Sequence, residues 1–227
     1  FANNIDYTYF TGEFITDNQV WNELRVTGSL FAGYDSLLRT FISLLDSRPI
    51  LQEEIEKGPL SLSIHLMGKS ELASVFYFIP GENISMHDLE AEISSLFGDN
   101  AIVNERKYEA VNLKDISLPR GSVFPSITYG SKNGLFILSS SSILVEDAIR
   151  NLNSKGGIFH EKGFKKVKDS KGKYVHANIY INYKMLDQLF YPAMNSNSRH
   201  VLKQLAGLAD WGELDADLNS DALVFNG

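Results

Sequence analysis

The sequence predicts an α+β fold with a mostly antiparallel sheet and helices packed on one face of that sheet. Several segments alternate apolar and polar residues, which is the period of a strand with one buried side. Other segments carry apolar residues at every third or fourth position, which is the period of a helix packed on one side. The 227 residues, 44% of them hydrophobic, suffice for one large domain or two small ones. Hairpins that are followed by helices favour the α+β class.

The composition excludes several chemistries. The chain has no cysteine, which excludes disulfides, thiolate catalysis, zinc fingers and iron–sulfur clusters. No segment is apolar over the roughly 18 residues that a membrane-spanning helix needs. The net charge of −7 does not favour a nucleic acid as partner. The charge is uneven, because residues 155–173 hold seven lysines and two acidic residues, a local +5, and the remainder is therefore −12.

The N-terminal part is predicted to form one strand and three helices. Residues 5–15 are rich in Tyr, Thr, Phe and Ile, as strands are. Asp17 or Asn18 can cap the helix that follows. The clearest helix covers residues 30–45, and its apolar face fits either core packing or a groove for a lipid. A shorter helix covers residues 50–56.

Residues 60–113 begin with a predicted hairpin. Strict alternation predicts a strand at 60–67, and an apolar run predicts its partner at 72–79. Ser85 caps the helix that comes next. Further strands are predicted at about 102–104 and 108–113.

Residues 123–182 show the same beginning. A hairpin over 123–129 and 135–139 surrounds Asn133-Gly134, which suits a primed turn. The serines at 139–142 cap the next helix. Beyond it we predict a basic helix at 161–168, a strand at 175–181, and helices at 184–190 and 198–208.

The segments 60–113 and 123–182 share the order hairpin, helix, strand, which predicts an internal ββαβ repeat. Residues 211–227 form another hairpin, which would open a third unit. A hairpin at the end of a chain leaves an edge strand. We therefore expect residues 1–227 to be one α+β region from a longer chain.

No motif carries a catalytic or metal-binding signature. The run from Asp215 to Asp221 has the opening spacing of a calcium loop, but Ser220 and Asn226 stand where that loop requires Gly and Glu. On a strand, the same spacing places these polar residues on the solvent face. No glycine-rich nucleotide motif is present.

The serines and histidines are interpreted as structural residues. Ser139–Ser142 lack the flanking glycines of a nucleophile elbow. The histidines have no His-Glu-x-x-His spacing, and each is interpreted as a surface or hydrogen-bonded residue. They are His65, His87, His160, His176 and His200. We therefore assign no catalytic, cofactor-binding or metal-ligating residue, and we expect no cofactor.

The lysine-rich segment is the one candidate contact surface. Its lysines surround a predicted helix whose inward residues are Phe164 and Val167. They form either an ordinary solvated face or a contact for an anion such as a lipid headgroup or a glycan. The candidate residues are Lys162, Lys165, Lys166, Lys168, Lys171 and Lys173.

Several runs resemble a family of uncharacterised gut-bacterial cell-envelope proteins, which is known as a domain of unknown function. The run NGLFILSSSSILVEDAIR at 133–150 resembles a hairpin–helix segment of that family. The run ANIYINY at 177–183, and the residues WGELD and LVFNG within 211–227, are similar to it as well. The resemblance covers about half of the residues. It implies an export signal or lipid anchor that has been removed, a periplasmic or envelope location and a longer chain, and it supplies no catalytic residues.

These observations lead to one functional expectation and two alternatives. We expect a non-catalytic envelope module that binds a protein, glycan or lipid partner, or that acts as a scaffold. The first alternative is a binding protein for a lipid or another apolar ligand, held between the helix at 30–45 and the sheet. The second is a hydrolase whose site is assembled from residues that are distant in the sequence.

Overall fold

The fold is described by a computed structural model with ten strands and three α-helices in the described part of the chain. The described residues are 8–12, 60–67, 71–81, 84–95, 101–120, 126–154, 158–170, 177–185, 203–204, 207, 209–219 and 222–226. The predicted helices that follow Asp17 and that cover 30–45 and 50–56 lie outside these residues. Most of the predicted helices at 184–190 and 198–208 also lie outside them.

The described strands form one antiparallel sheet in the order β10-β9-β8-β1-β2-β3-β7-β6-β5-β4. Each neighbouring pair is antiparallel. The strands are β1 (Thr8–Gly12), β2 (Leu60–Met67), β3 (Glu71–Phe78), β4 (Ile102–Tyr108), β5 (Val111–Ser117), β6 (Ser126–Lys132), β7 (Leu135–Ser139), β8 (Ala177–Asn182), β9 (Trp211–Asn219) and β10 (Ala222–Asn226). The predicted α+β class with an antiparallel sheet is confirmed.

Three α-helices accompany the sheet: α1 (Met86–Ser95), α2 (Ser142–Ser154) and α3 (Lys162–Ser170). We call β2–β7 with α1 and α2 the central block, and β8–β10 with α3 the lateral block. Among the described strands, β1 alone joins the two blocks, because it pairs with β2 on one side and β8 on the other.

The helices lie on both faces of the sheet. The Ser94 hydroxyl of α1 is 2.8 Å from the Tyr129 hydroxyl on β6, and Tyr129 shares its face with its cross-strand partner Leu138. Helix α2 packs its buried side against Ile137, the next residue on β7 and hence on the opposite face. The expectation of helices on one face therefore holds for α2 and α3 but not for α1. The physical reason is that β3 and β7 bury apolar side chains on both faces, so both faces need a cover.

The two predicted repeat segments share an order of elements but not an arrangement. The first segment places α1 on one face of the sheet, and the second places α2 on the other. The strand that follows α1 is also one half of the hairpin β4–β5, whereas β8 lies between β1 and β9. The two segments thus share the order of their elements but not the arrangement of these elements in the sheet, and this does not support a structural repeat. The third hairpin is present as β9–β10.

Local signals fix several boundaries. The Ser85 hydroxyl accepts a hydrogen bond from the Asp88 amide at 3.1 Å, so the predicted cap of α1 is confirmed. Asn133 and Gly134 have φ of 54° and 80°, which confirms the primed turn between β6 and β7. A second turn of this kind joins β4 and β5 through Glu109 and Ala110, with φ of 46° and 67°. Neither residue is a glycine or asparagine, and the sequence had predicted only strand pieces at 102–104 and 108–113.

Candidate anion-binding surface

Helix α3 is held against the lateral block at its first residue. The chain makes a single 3-10 turn at Ile158–His160, and the Lys165 amide then donates to the Glu161 carbonyl at 2.9 Å, which starts the helix. The Glu161 carboxylate accepts a hydrogen bond from the Trp211 indole at 2.9 Å. Because Trp211 lies on β9, this bond fixes the start of α3 to the sheet.

The apolar side of α3 rests on an aromatic cluster. The Phe164 ring centroid lies 5.0 Å from that of Tyr180 and 5.2 Å from that of Trp211, the latter at an interplanar angle of 74°. Ile158 completes the cluster, and all four side chains are at most 5% exposed. At Gly163 a Cβ atom would stand 3.1 Å from the Trp211 ring, so the helix approaches β9 closely. The cluster therefore sets both the position and the rotation of α3.

Three lysines of α3 lie on the side of the helix away from that cluster. Lys162, Lys165 and Lys166 occupy positions i, i+3 and i+4 and so form one stripe along the helix. All three are exposed, as is Lys168. No described residue forms an ion pair with any of the three stripe lysines. We call these three residues the lysine stripe; Lys171 and Lys173, also predicted, lie outside the described residues.

The sheet beneath α3 carries acidic side chains. Glu213 and Asp215 alternate on β9, and the Asn178 amide donates to both, at 3.3 Å and 2.6 Å. Burial, followed by the negative charges of Glu213 and Asp215, raises the pKa of Tyr180 to about 12. These acids are thus held on the strand by Asn178, while the lysine stripe lies on the outer side of the helix.

The predicted solvent face of β9 is only half exposed. Asp215 and Asp217 lie two positions apart on a regular strand, as the strand interpretation of the run Asp215–Asp221 requires. Both side chains are partly buried. Within the described part of the chain, no group of three or more His, Asp or Glu side chains is placed to hold a metal ion.

A buried serine–histidine pair was not predicted. The Ser63 hydroxyl lies 2.7 Å from His65 Nε2, the distance expected of a nucleophile and its base. Both side chains are at most 1% exposed, however, so no substrate reaches the hydroxyl. Burial lowers the pKa of His65 to about 3, which keeps the imidazole neutral near pH 7. Of the two predicted alternatives, a surface or a hydrogen-bonded residue, His65 is the hydrogen-bonded one, and its side chain is buried.

The other predicted histidines and serines are placed as structural residues. His87 and His160 are exposed, and His87 Nδ1 lies 3.6 Å from the Asp88 carboxylate. The Ser141 carbonyl accepts from the Val145 amide in the first turn of α2, as a cap residue does. Ser139 instead donates to the Ser74 carbonyl at 2.8 Å and ties β7 to β3. His176 and His200 lie outside the described residues.

The central block holds a charge cluster that sequence spacing could not reveal. The Arg106 guanidinium on β4 lies 2.5 Å from Asp115 on β5 and 2.6 Å from Glu146 on α2. The Asp115 carboxylate also accepts from the Thr128 hydroxyl at 2.6 Å. The hydrogen bond to Asp115 is the largest cause of a raised pKa of Arg106. These residues neutralise one another, which distinguishes them from the lysine stripe.

Comparison with known proteins adds no relative. No protein-family model matches the chain, and no curated protein and no solved structure matches it either. No helix in the described residues is long and apolar enough to cross a membrane. The resemblance to cell-envelope proteins therefore stays a prediction.

Proposed function

We propose that this chain is a non-catalytic binding module of the bacterial cell envelope, and that the lysine stripe of α3 holds an anionic polymer. The observation that carries the proposal is the contrast between the two sides of one short helix. Phe164 is 2% exposed and locked between two aromatic rings, whereas Lys162, Lys165 and Lys166 are exposed and form no ion pair with a described residue. A rigid helix with unpaired charges on its outer side is suited to binding.

The geometry favours a polymer over a small anion. A helix rises about 5.4 Å per turn, so Lys162 and Lys166 present two charges one turn apart, with Lys165 beside them. Lysine provides a point charge without the planar fork that selects a single bidentate group. An extended chain that repeats phosphate or carboxylate groups at a similar spacing can occupy the whole stripe.

The apolar side of α3 is already occupied. Phe164 and Val167 pack on the sheet, so the helix cannot insert that side into a bilayer as an amphipathic surface helix does. Binding to an anion would be purely electrostatic and would weaken as salt is added. The envelope location is part of the proposal and rests on the resemblance of residues 133–150, 177–183 and 211–227.

The test uses long-chain inorganic polyphosphate as the probe, titrated into the whole chain by calorimetry at low ionic strength. A surface lysine near an anionic array contributes about 1 kcal/mol, so K165Q/K166Q should weaken binding about tenfold to thirtyfold. The matched control is R120Q/K203Q, which removes the same charge from two other exposed basic residues and should change the affinity less than about threefold. Equal losses in the two variants, or no binding by the unchanged protein, would refute the proposal.

A further inference from the structure

The outermost strand of the central block, β4, has one backbone side that pairs with no described strand. It lies at the end of the ten-stranded sheet and pairs only with β5 among the described strands. Its pairing register is continuous from Ile102 to Tyr108, without a bulge or a proline. Ile102 and Val103 are 64% and 44% exposed, and Ile102 is the most exposed large apolar side chain in the described residues. A long, regular edge with exposed apolar residues is a template for another strand.

The turn identifies the free backbone groups. Tyr108 and Val111 flank the two-residue primed turn, so they form a hydrogen-bonded pair. Hydrogen-bonded pairs recur at every second residue of β4. The amides and carbonyls of the intervening residues, Val103, Glu105 and Lys107, therefore point away from β5 and are available to a new strand.

The side chains of β4 fit a second copy of the same strand. Two antiparallel copies that continue one sheet bring together residues of the same face. A pairing centred on Arg106 places Glu105 opposite Lys107 of the other copy, twice by symmetry. A pairing centred on Glu105 would instead oppose two like charges, which is unfavourable. Glu105 is 73% exposed, and its ion pair with Lys114 of the same chain is long, at 3.9 Å. Lys107 is exposed as well, so both side chains can reach a partner.

The centre of this register is compatible with two arginines. Each Arg106 is drawn towards its own subunit by Asp115 and Glu146, at 2.5 Å and 2.6 Å, and its charge is compensated there. The strand at the opposite end of the sheet offers no comparable charge pairing. Strand β10 (Ala222–Asn226) has no charged residue that could select a register.

We infer that β4 is a homodimer interface, in which two copies of this chain pair their β4 strands antiparallel around Arg106 and join their sheets through reciprocal Glu105–Lys107 pairs. The interface is isologous, so it closes after two copies. It lies at the end of the sheet opposite the lateral block. It does not depend on the lysine stripe.

The test is the mass of the whole chain in solution, measured by sedimentation equilibrium over a concentration series. The unchanged protein should form a dimer that weakens with salt. E105K opposes two pairs of like charges and should raise the dissociation constant about tenfold or more, and E105K/K107E should restore the dimer. The matched control K165E changes a charge on α3 and should leave the mass unchanged.

A second variant tests the backbone contact. E105P removes an outward-pointing amide inside the residues that pair in this register, 104–108, so the β4–β5 ladder is kept while the pairing of a new strand is lost. Its control is E105Q, which removes the charge and keeps the amide. Far-ultraviolet circular dichroism should be unchanged, and the dimer should be absent. A monomer at all concentrations, a dimer as stable in E105P as in E105Q, assemblies larger than dimers, or failure of E105K/K107E to restore pairing would each overturn the inference.

Discussion

The central and lateral blocks stabilise their strands in different ways. In the central block, both faces of the sheet are covered, and Tyr129, Phe136 and Phe78 stack with ring centroids 5.0–5.5 Å apart. Several of its charges are compensated, as Lys114 is by Glu90 at 2.7 Å. In the lateral block, one cluster beneath α3 provides the described core, and the three lysines of the stripe form no ion pair with a described residue. The comparison indicates that one block serves stability and that the other presents charge.

The largest expected effect comes from removing one buried aromatic ring from the core of each block. Phe136→Ala removes a fully buried ring and should reduce the free energy of unfolding of the whole chain by about 4 kcal/mol. Phe164→Ala should instead release α3 and leave the central strands protected. Hydrogen exchange followed by mass spectrometry measures both effects. Equal loss of protection in β6 and β7 in the two variants would show that the blocks unfold as one unit.

A smaller expected effect is a loss of folding stability at acidic pH. The pKa of His65 is about 3 in the folded chain and about 6.5 in the unfolded chain, so the unfolded state binds more protons between these values. The central block should therefore lose stability as the pH falls below about 6.5, by at most about 1.4 kcal/mol per pH unit from this group. His65→Gln should flatten the slope between about pH 5 and pH 7 in urea unfolding. His87→Gln, at an exposed position, is the control; an unchanged slope in His65→Gln would contradict the prediction.

The smallest expected effect comes from backbone strain in the two turns of the central block whose residues have a positive φ. Ala110 has a φ of 67°, a conformation that costs a residue with a Cβ about 1 kcal/mol. Ala110→Gly should raise the free energy of unfolding by about 0.5–1 kcal/mol. Gly134→Ala, at a φ of 80° with open space around the position, should lower it by about as much. Thermal unfolding of the two variants checks the signs, and a shift in the same direction for both would refute the explanation.

Sequence reasoning succeeded where the cause is local. Ser85 and Asn133-Gly134 act on their own neighbours, so the cap and the turn were predictable. The period of α3 predicted which lysines face outward, and the four in the described residues are exposed. Whether they bind an anion stays a prediction.

The remaining features depend on contacts between distant residues. Alternation in β2 identified a polar face but could not show that this face is covered, so the sequence could not decide between a surface and a buried, hydrogen-bonded His65. The turn at Glu109-Ala110 contains no glycine or asparagine, the residues from which a primed turn is predicted in a sequence. The cluster of Arg106, Asp115 and Glu146 joins two strands and a helix, so no spacing rule could find it.

Strand β1 has a consequence for the way the chain folds. Tyr9 pairs with Tyr180, about 170 positions away, whereas the hairpins of the central block form between near neighbours. Closing so long a loop is entropically costly and slow, so the central hairpins should assemble first. On a ribosome, β8 emerges more than 100 residues after β1 and its other partner, β2, have been made. Attachment of the lysine-bearing helix to the main sheet is therefore expected to be a late folding event.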